Sequence, residues 1–349
     1  IDAIDKMSLN GWQDIVTWNQ LNEIKEKYRE DTVQGFSGGK QELDASHVKD
    51  ILSNMRQIVK RGIARARALG GGKMPSYFAF DAIEYDKSDD GITVLSFRPV
   101  VIPRFLESYV HNLRLKHSDD RKHQLYNEVR DGLYDEKLKM YKVNESLADA
   151  SFEIGRCKAF TPGWLENESI WLHMEYKYLL ELIKNGLYRE FIDDFHTCAV
   201  PFLDSDVYGR STLENSSFIA SSANPNPKIH GRGFVARLSG STAEFIDMYE
   251  IMMFGQSIFV YSEAEGLVFA PKPTIPSYLI GDDLTISTRL LGTTRVVYKL
   301  PSKKDYIPGE YSVTGISIDG RLNAGSYVSG SDAEAIRVGN VKKIEITLG

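Results

Sequence analysis

Only two cysteines, Cys157 and Cys198, occur in the 349 residues. They stand in apolar or aromatic surroundings, which excludes a disulfide scaffold and fits two buried thiols in a reducing compartment. Uninterrupted apolar runs of the roughly 20 residues needed to cross a bilayer are missing, and the N-terminus lacks the basic-then-apolar order of a secretory signal. The expectation is a cytoplasmic protein with no membrane partner. There is no zinc-type Cys/His spacing, no Walker loop and no dinucleotide fingerprint, so neither metal nor nucleotide cofactor is expected. A basic face is lacking as well: 42 Lys+Arg interleave with 48 Asp+Glu for a net charge of −6, which argues against nucleic acid. What remains, at 42% hydrophobic and 26% charged, can bury a core and has room for two domains. The chain opens Ile1-Asp2-Ala3-Ile4-Asp5 without Met and reads as part of a longer protein.

The pattern changes along the chain. Val48, Ile51, Leu52, Met55, Ile58, Val59, Ile63 and Ala66 follow helical spacing over residues 47–69 and stop at Gly70-Gly71-Gly72. Residues 77–86 and 92–98 are β-rich and flank Ser88-Asp89-Asp90-Gly91, which predicts a hairpin. Helical patterns return over 105–115, 121–131, 166–184, 188–200 and 242–254. After Gly255 the sequence turns to short strands over 257–261, 267–269, 284–291, 294–300, 311–318 and 342–348, which suggest a sandwich. The predicted organisation is mainly α followed by β, in two domains, 1–255 and 256–349.

Three clusters carry candidate chemistry. Trp164, Glu166, Glu168, Trp171 and His173 crowd behind the Pro162-Gly163 turn. Flat apolar faces beside carboxylates suit a sugar ring and its hydroxyls. The competing reading makes Glu166 and Glu168 an acidic first helical turn and Trp171 core. The second cluster, residues 208–217, holds Tyr208, Arg210 and Glu214. Arg210 could meet a phosphate or a carboxylate, or pair with Glu214. The third, Ser239-Gly240-Ser241-Thr242, opens a helix whose free amides could cradle an anion, while Ser241-x-x-Glu244 also has the form of a capping box.

Residues 166–173, the 208–217 loop and Gly231-Arg232-Gly233 running to Ser241 together resemble the cellobiose-phosphorylase-like inverting glycoside phosphorylases, in particular the long members acting on β-glucan oligosaccharides. The resemblance covers most of residues 105–255. It implies that residues 1–255 are the C-terminal part of an (α/α)6 catalytic barrel carrying an inserted β-hairpin, followed by a small C-terminal β-sandwich. It implies an enzyme, a glycosyltransferase that splits β-glucosidic bonds with inorganic phosphate as co-substrate and releases glucose 1-phosphate with inversion. His173, Ser239 and Gly240 would then bind phosphate. Asp2, at the trailing edge of the family's acidic motif, would be the general acid. Trp164, Glu166, Glu168, Trp171, Tyr208, Arg210 and Glu214 are the candidate substrate-binding residues. The implied partners are a β-glucan oligosaccharide, phosphate, and the N-terminal part of the same enzyme or a companion chain. The alternatives are a glycoside hydrolase on the same toroid, which needs a second carboxylate, and a non-catalytic carbohydrate-binding segment.

Overall fold

The computed structural model describes residues 15–40, 42–71, 75–89, 91–235, 239–323 and 325–349. The chain divides into two compact units, Ile1–Arg104 with Ala150–Ile154, and Phe105–Asp149 with Gly155–Gly349. The boundary expected near Gly255 falls inside the second unit.

The first unit contains helices α1 (Ile15–Thr32) and α2 (Ala45–Leu69) and the hairpin β1 (Phe78–Ser88) with β2 (Gly91–Val101). Helix α2 starts where Asp44 caps it, its carboxylate accepting from His47 N at 2.8 Å. It ends at Gly70, as the sequence predicts. The hairpin is antiparallel, with Asp81 opposite Arg98, and the two side chains pair at 2.9 Å. This unit keeps much apolar surface exposed: Val48, Leu52, Met55 and Val59 on α2, and Phe80, Tyr85, Ile92 and Phe97 on the hairpin.

The second unit is mixed α and β. Its helices are α3 (Leu106–Leu113), α4 (Asp119–Leu133), α5 (Leu172–Lys184), α6 (Tyr188–Cys198), the short α7 (Ser205–Tyr208), α8 (Ser239–Phe254) and α9 (Gly330–Arg337). Helix α5 is buried on nearly every side, from Leu172 through Tyr176, Leu179 and Ile183, because α3, α6 and α8 all pack on it. Short strands β3 (Tyr134–Asp135) and β4 (Met140–Tyr141) pair with each other. Strands β5 (Ile170–Trp171), β6 (Phe218–Ile219) and β7 (Gly233–Phe234) form a three-stranded sheet beside the start of α5.

Beyond Gly255, β8 (Phe259–Ser262), β9 (Gly266–Phe269) and β14 (Val328–Ser329) make one small sheet. A five-stranded sheet runs in the order β10 (Thr285–Leu290), β11 (Thr294–Lys299), β15 (Lys343–Leu348), β12 (Val313–Ile318), β13 (Arg321–Asn323). Strands β11 and β15 are parallel and the other neighbours antiparallel. One face is apolar, with Leu290, Val296, Tyr298, Ile316, Ile344 and Ile346 buried, while Arg289, Arg295, Lys299 and Lys343 alternate to the exposed face. The apolar face reaches α8, where the Tyr298 hydroxyl donates to Met253 O. This shared core is why the helices and the late strands fall in one unit.

Two local expectations fail. The helix predicted over 166–184 begins only at Leu172, because Leu165 (φ 49°) and Glu168 (φ 56°) turn the chain left-handed and Ile170–Trp171 pairs with β6. Glu166 and Glu168 are therefore loop residues, not an acidic first turn. Helix α8 begins at Ser239, so Ser241 sits inside the first turn and not at the cap of a capping box. Of the thiols, Cys198 is buried and Cys157 half-buried, and the two form no disulfide.

Candidate functional site at the start of helix α8

The site begins with the β5–β6–β7 sheet. Trp171 lies opposite Phe218, and Phe218 opposite Phe234. The Trp171 and Phe218 rings stack at 6.0 Å and 11°, and Phe218 on Phe234 at 5.4 Å and 20°. Trp164 meets Phe218 and Phe234 edge-on at 5.0 and 4.5 Å. Both tryptophans keep part of their surface in solvent. The result is a packed aromatic cluster that leaves part of both tryptophans in solvent.

Two residues after Trp171, His173 projects from the first turn of α5 onto α8. A Cβ built on Gly240 would lie 2.6 Å from His173 Cε1, 2.7 Å from Nδ1 and 2.8 Å from Nε2. Glycine at 240 therefore lets the imidazole rest against the backbone of α8 close to its first described residue. On the other side His173 Nε2 faces Glu244 Oε1 at 3.6 Å. Glu244, which the capping-box reading assigned to the backbone, instead faces the ring, beyond hydrogen-bond distance. Nδ1 makes no hydrogen bond among the described residues. The Ser239 backbone belongs to the same part of α8, but its side chain lies outside the described residues, as does Asp2, the candidate acid.

The 208–217 loop is tied to the same place. The Asn215 amide donates to Thr242 Oγ1 at 3.4 Å, and its Oδ1 accepts from the Tyr176 hydroxyl at 3.2 Å. Asn215 and Thr242 thus link the loop to α5 and α8, a role that needed the fold to be seen. Tyr208 is buried and its hydroxyl is saturated: it donates to Glu214 O at 2.8 Å, shares 2.7 Å with Ser216 Oγ and accepts from Ser216 N at 2.9 Å. That hydroxyl organises the loop and has no capacity left for a sugar. Arg210 faces Glu214 at 3.6 Å, the local pair that the sequence allowed, while its Nε is buried without an acceptor among the described residues.

The acidic loop before α5 is held from behind. Asn144, wholly buried, donates to Glu166 O at 2.6 Å and accepts from Glu168 N at 2.7 Å. Glu166 pairs with Arg156, leaving Oε2 buried and unpartnered among the described residues, and Glu168 pairs with Lys142 at 3.3 Å. Neither carboxylate is brought to His173 by any hydrogen bond or ion pair among the described residues.

Beneath the site lies a polar network that sequence reasoning missed. Glu175, fully buried on α5, accepts from Tyr141 N at 2.8 Å, and burial pushes its carboxyl up to about 8. Asp194 accepts from Arg130 at 2.8 Å and from the Tyr141 hydroxyl at 2.6 Å; burial still outweighs these bonds and raises it to about 6. The only signal in the sequence was an acid at a helical spacing otherwise filled by Leu and Tyr.

Among the described residues no group of three His, Cys, Asp or Glu side chains is placed to hold a metal ion, and no helix is long and apolar enough to cross a membrane. A scan against protein-family models finds no match for the sequence, and a search of curated proteins finds none either.

Proposed function

We propose that the first turn of α8 and the His173 imidazole form an oxyanion pocket that takes inorganic phosphate, and that the chain is the C-terminal part of an inverting β-glucoside phosphorylase. One observation carries this reading: the imidazole lies on Gly240, in the first described turn of α8. An imidazole nitrogen beside the start of a helix is the equipment a phosphate nucleophile would use. An inverting hydrolase needs a carboxylate free to activate water. Glu166, Glu168 and Glu214 face Arg156, Lys142 and Arg210, respectively. Their engagement favours phosphate over water as the nucleophile. The Trp164–Trp171–Phe218–Phe234 platform, two residues from His173, would support the glucosyl unit being transferred.

In this reading the sugar's departing oxygen takes a proton from an acid upstream, Asp2 being the candidate, while phosphate attacks the anomeric carbon from the opposite face and glucose 1-phosphate leaves. Helices α3 to α6 and α8 would belong to an (α/α)6 barrel, and the sheets after Gly255 to its C-terminal β-sandwich. The exposed apolar residues of α2 and of the hairpin would meet the enzyme's N-terminal part or a companion chain. The β-glucan oligosaccharide is the substrate, and the cytoplasm, where a sugar phosphate is retained, is the expected location.

The test is sugar release from β-1,3- and β-1,4-glucan oligosaccharides by this chain together with its upstream residues, with and without phosphate. Glucose 1-phosphate formed only when phosphate is present is the expected outcome. Free glucose released equally in its absence would replace phosphorolysis by hydrolysis, and no turnover under either condition would leave a carbohydrate-binding segment.

A further inference from the structure

On the five-stranded sheet, hairpin register places Arg289 of β10 directly opposite Arg295 of β11. Like charges in that relation repel, and strands normally avoid them. Neither guanidinium has a carboxylate partner among the described residues, although both are exposed. The next cation in the row, Lys343 opposite Arg295, is occupied by Glu345 at 3.0 Å. Two adjacent arginines are thus left uncompensated in a region where the other strand cations are paired.

They line an open surface depression of about 550 Å³ together with Ser287, Thr288 and Tyr249. The Tyr249 hydroxyl donates to Thr288 Oγ1 at 2.8 Å, which joins α8 to the rim. Strand β10, which supplies three of the lining residues, is paired on one side only. The backbone of Thr285 bonds away from β11, its N to Asp283 Oδ1 at 3.2 Å and its O from Gly281 N at 2.9 Å. With a period of two, the N–H groups of Ser287 and Arg289 face the same open side. The lining residues therefore offer two guanidinium forks and three hydroxyls, and no carboxylate.

We propose that this depression is a binding site for a phosphate-monoester anion of sugar-phosphate size, separate from the pocket at the start of α8. Guanidinium forks match phosphate oxygens bidentately, and the hydroxyls suit a polyol body. Tyr249 stands nine residues beyond Gly240, roughly 14 Å along the helix, so the two places do not share residues. An anion seated here converts the Arg289–Arg295 repulsion into a shared attraction.

Isothermal titration of the full chain with glucose 6-phosphate, and separately with inorganic phosphate, tests the site. The same titrations on Arg289→Gln/Arg295→Gln isolate it, because both side chains are exposed and their neutralisation relieves repulsion in the fold. Saturable binding that weakens at least about tenfold in the double variant, and persists in His173→Ala, is expected. Tighter binding of glucose 6-phosphate than of phosphate assigns the depression to a sugar phosphate, and equal binding assigns it to the phosphate group alone. Absence of saturable binding to the wild-type chain, or equal affinity in the wild type and the double variant, overturns the proposal.

Discussion

Gly240→Ala has an effect on stability whose sign depends on His173. In the body of a helix, alanine is favoured over glycine by about 1 kcal/mol. Here the new methyl carbon would lie 2.6 to 2.8 Å from three ring atoms of His173, well inside van der Waals contact. Forcing an extra carbon into a packed position costs about 1 to 3 kcal/mol, so the clash offsets the helical gain and Gly240→Ala is destabilising by up to about 2 kcal/mol. All three nearest atoms belong to one side chain. In a His173→Ala background the obstacle is gone, and the same change should stabilise by up to about 1 kcal/mol. Urea unfolding of the four proteins of this cycle measures the coupling, which should reach roughly 1 to 3 kcal/mol. Equal values of Gly240→Ala in the two backgrounds would show that the imidazole does not rest on the first turn of α8, and the oxyanion pocket would lose its geometry.

The buried network sets a pH dependence. Glu175 holds its proton to about pH 8 in the folded chain, against the usual carboxyl value of 4.5 when unfolded. The folded state therefore binds more protons between these limits, so stability is greatest at the acid end of the window and falls as pH rises toward 8, by about 5 kcal/mol in all. Glu175→Gln should flatten most of that slope between pH 6 and 8 in denaturant titrations; an unchanged slope assigns the dependence elsewhere. Arg130→Met leaves Asp194 buried without its cation and should cost about 3 to 5 kcal/mol by the same measurement, a loss below 1 kcal/mol contradicting the network. Tyr208→Phe removes the hydroxyl that serves Ser216 N, Ser216 Oγ and Glu214 O and should cost about 1 to 3 kcal/mol.

Local signals in the sequence located many elements. The apolar spacing of 47–69 ends at Gly70 in the structure, the Asp-Gly turn marks the hairpin, and strands β10, β11, β12 and β15 fall within two residues of their expected limits. Misreadings arose where tertiary partners decide. Glu166 to Trp171 have a composition compatible with a helix, yet Asn144 and the pairing of β5 with β6 draw them into a loop and a strand. Helix α1 had no apolar stripe that sequence reading singled out, and α9 is only two turns long. Within the candidate site, His173 and Gly240 were recognisable as residue types, but their contact depends on the packing of α5 on α8. Asn215, Glu244 and the Arg289–Arg295 pair acquire their roles through register and packing, which spacing along the chain does not express.

The central claim is that His173 and the start of α8 receive an oxyanion. Nitrogen-15 NMR of the His173 imidazole during titration with inorganic phosphate reports on that contact directly. Saturable shifts of the ring nitrogens in the wild-type chain, abolished by Gly240→Ala, are the predicted result. Ring resonances that stay fixed while phosphate rises to saturating concentration would contradict it.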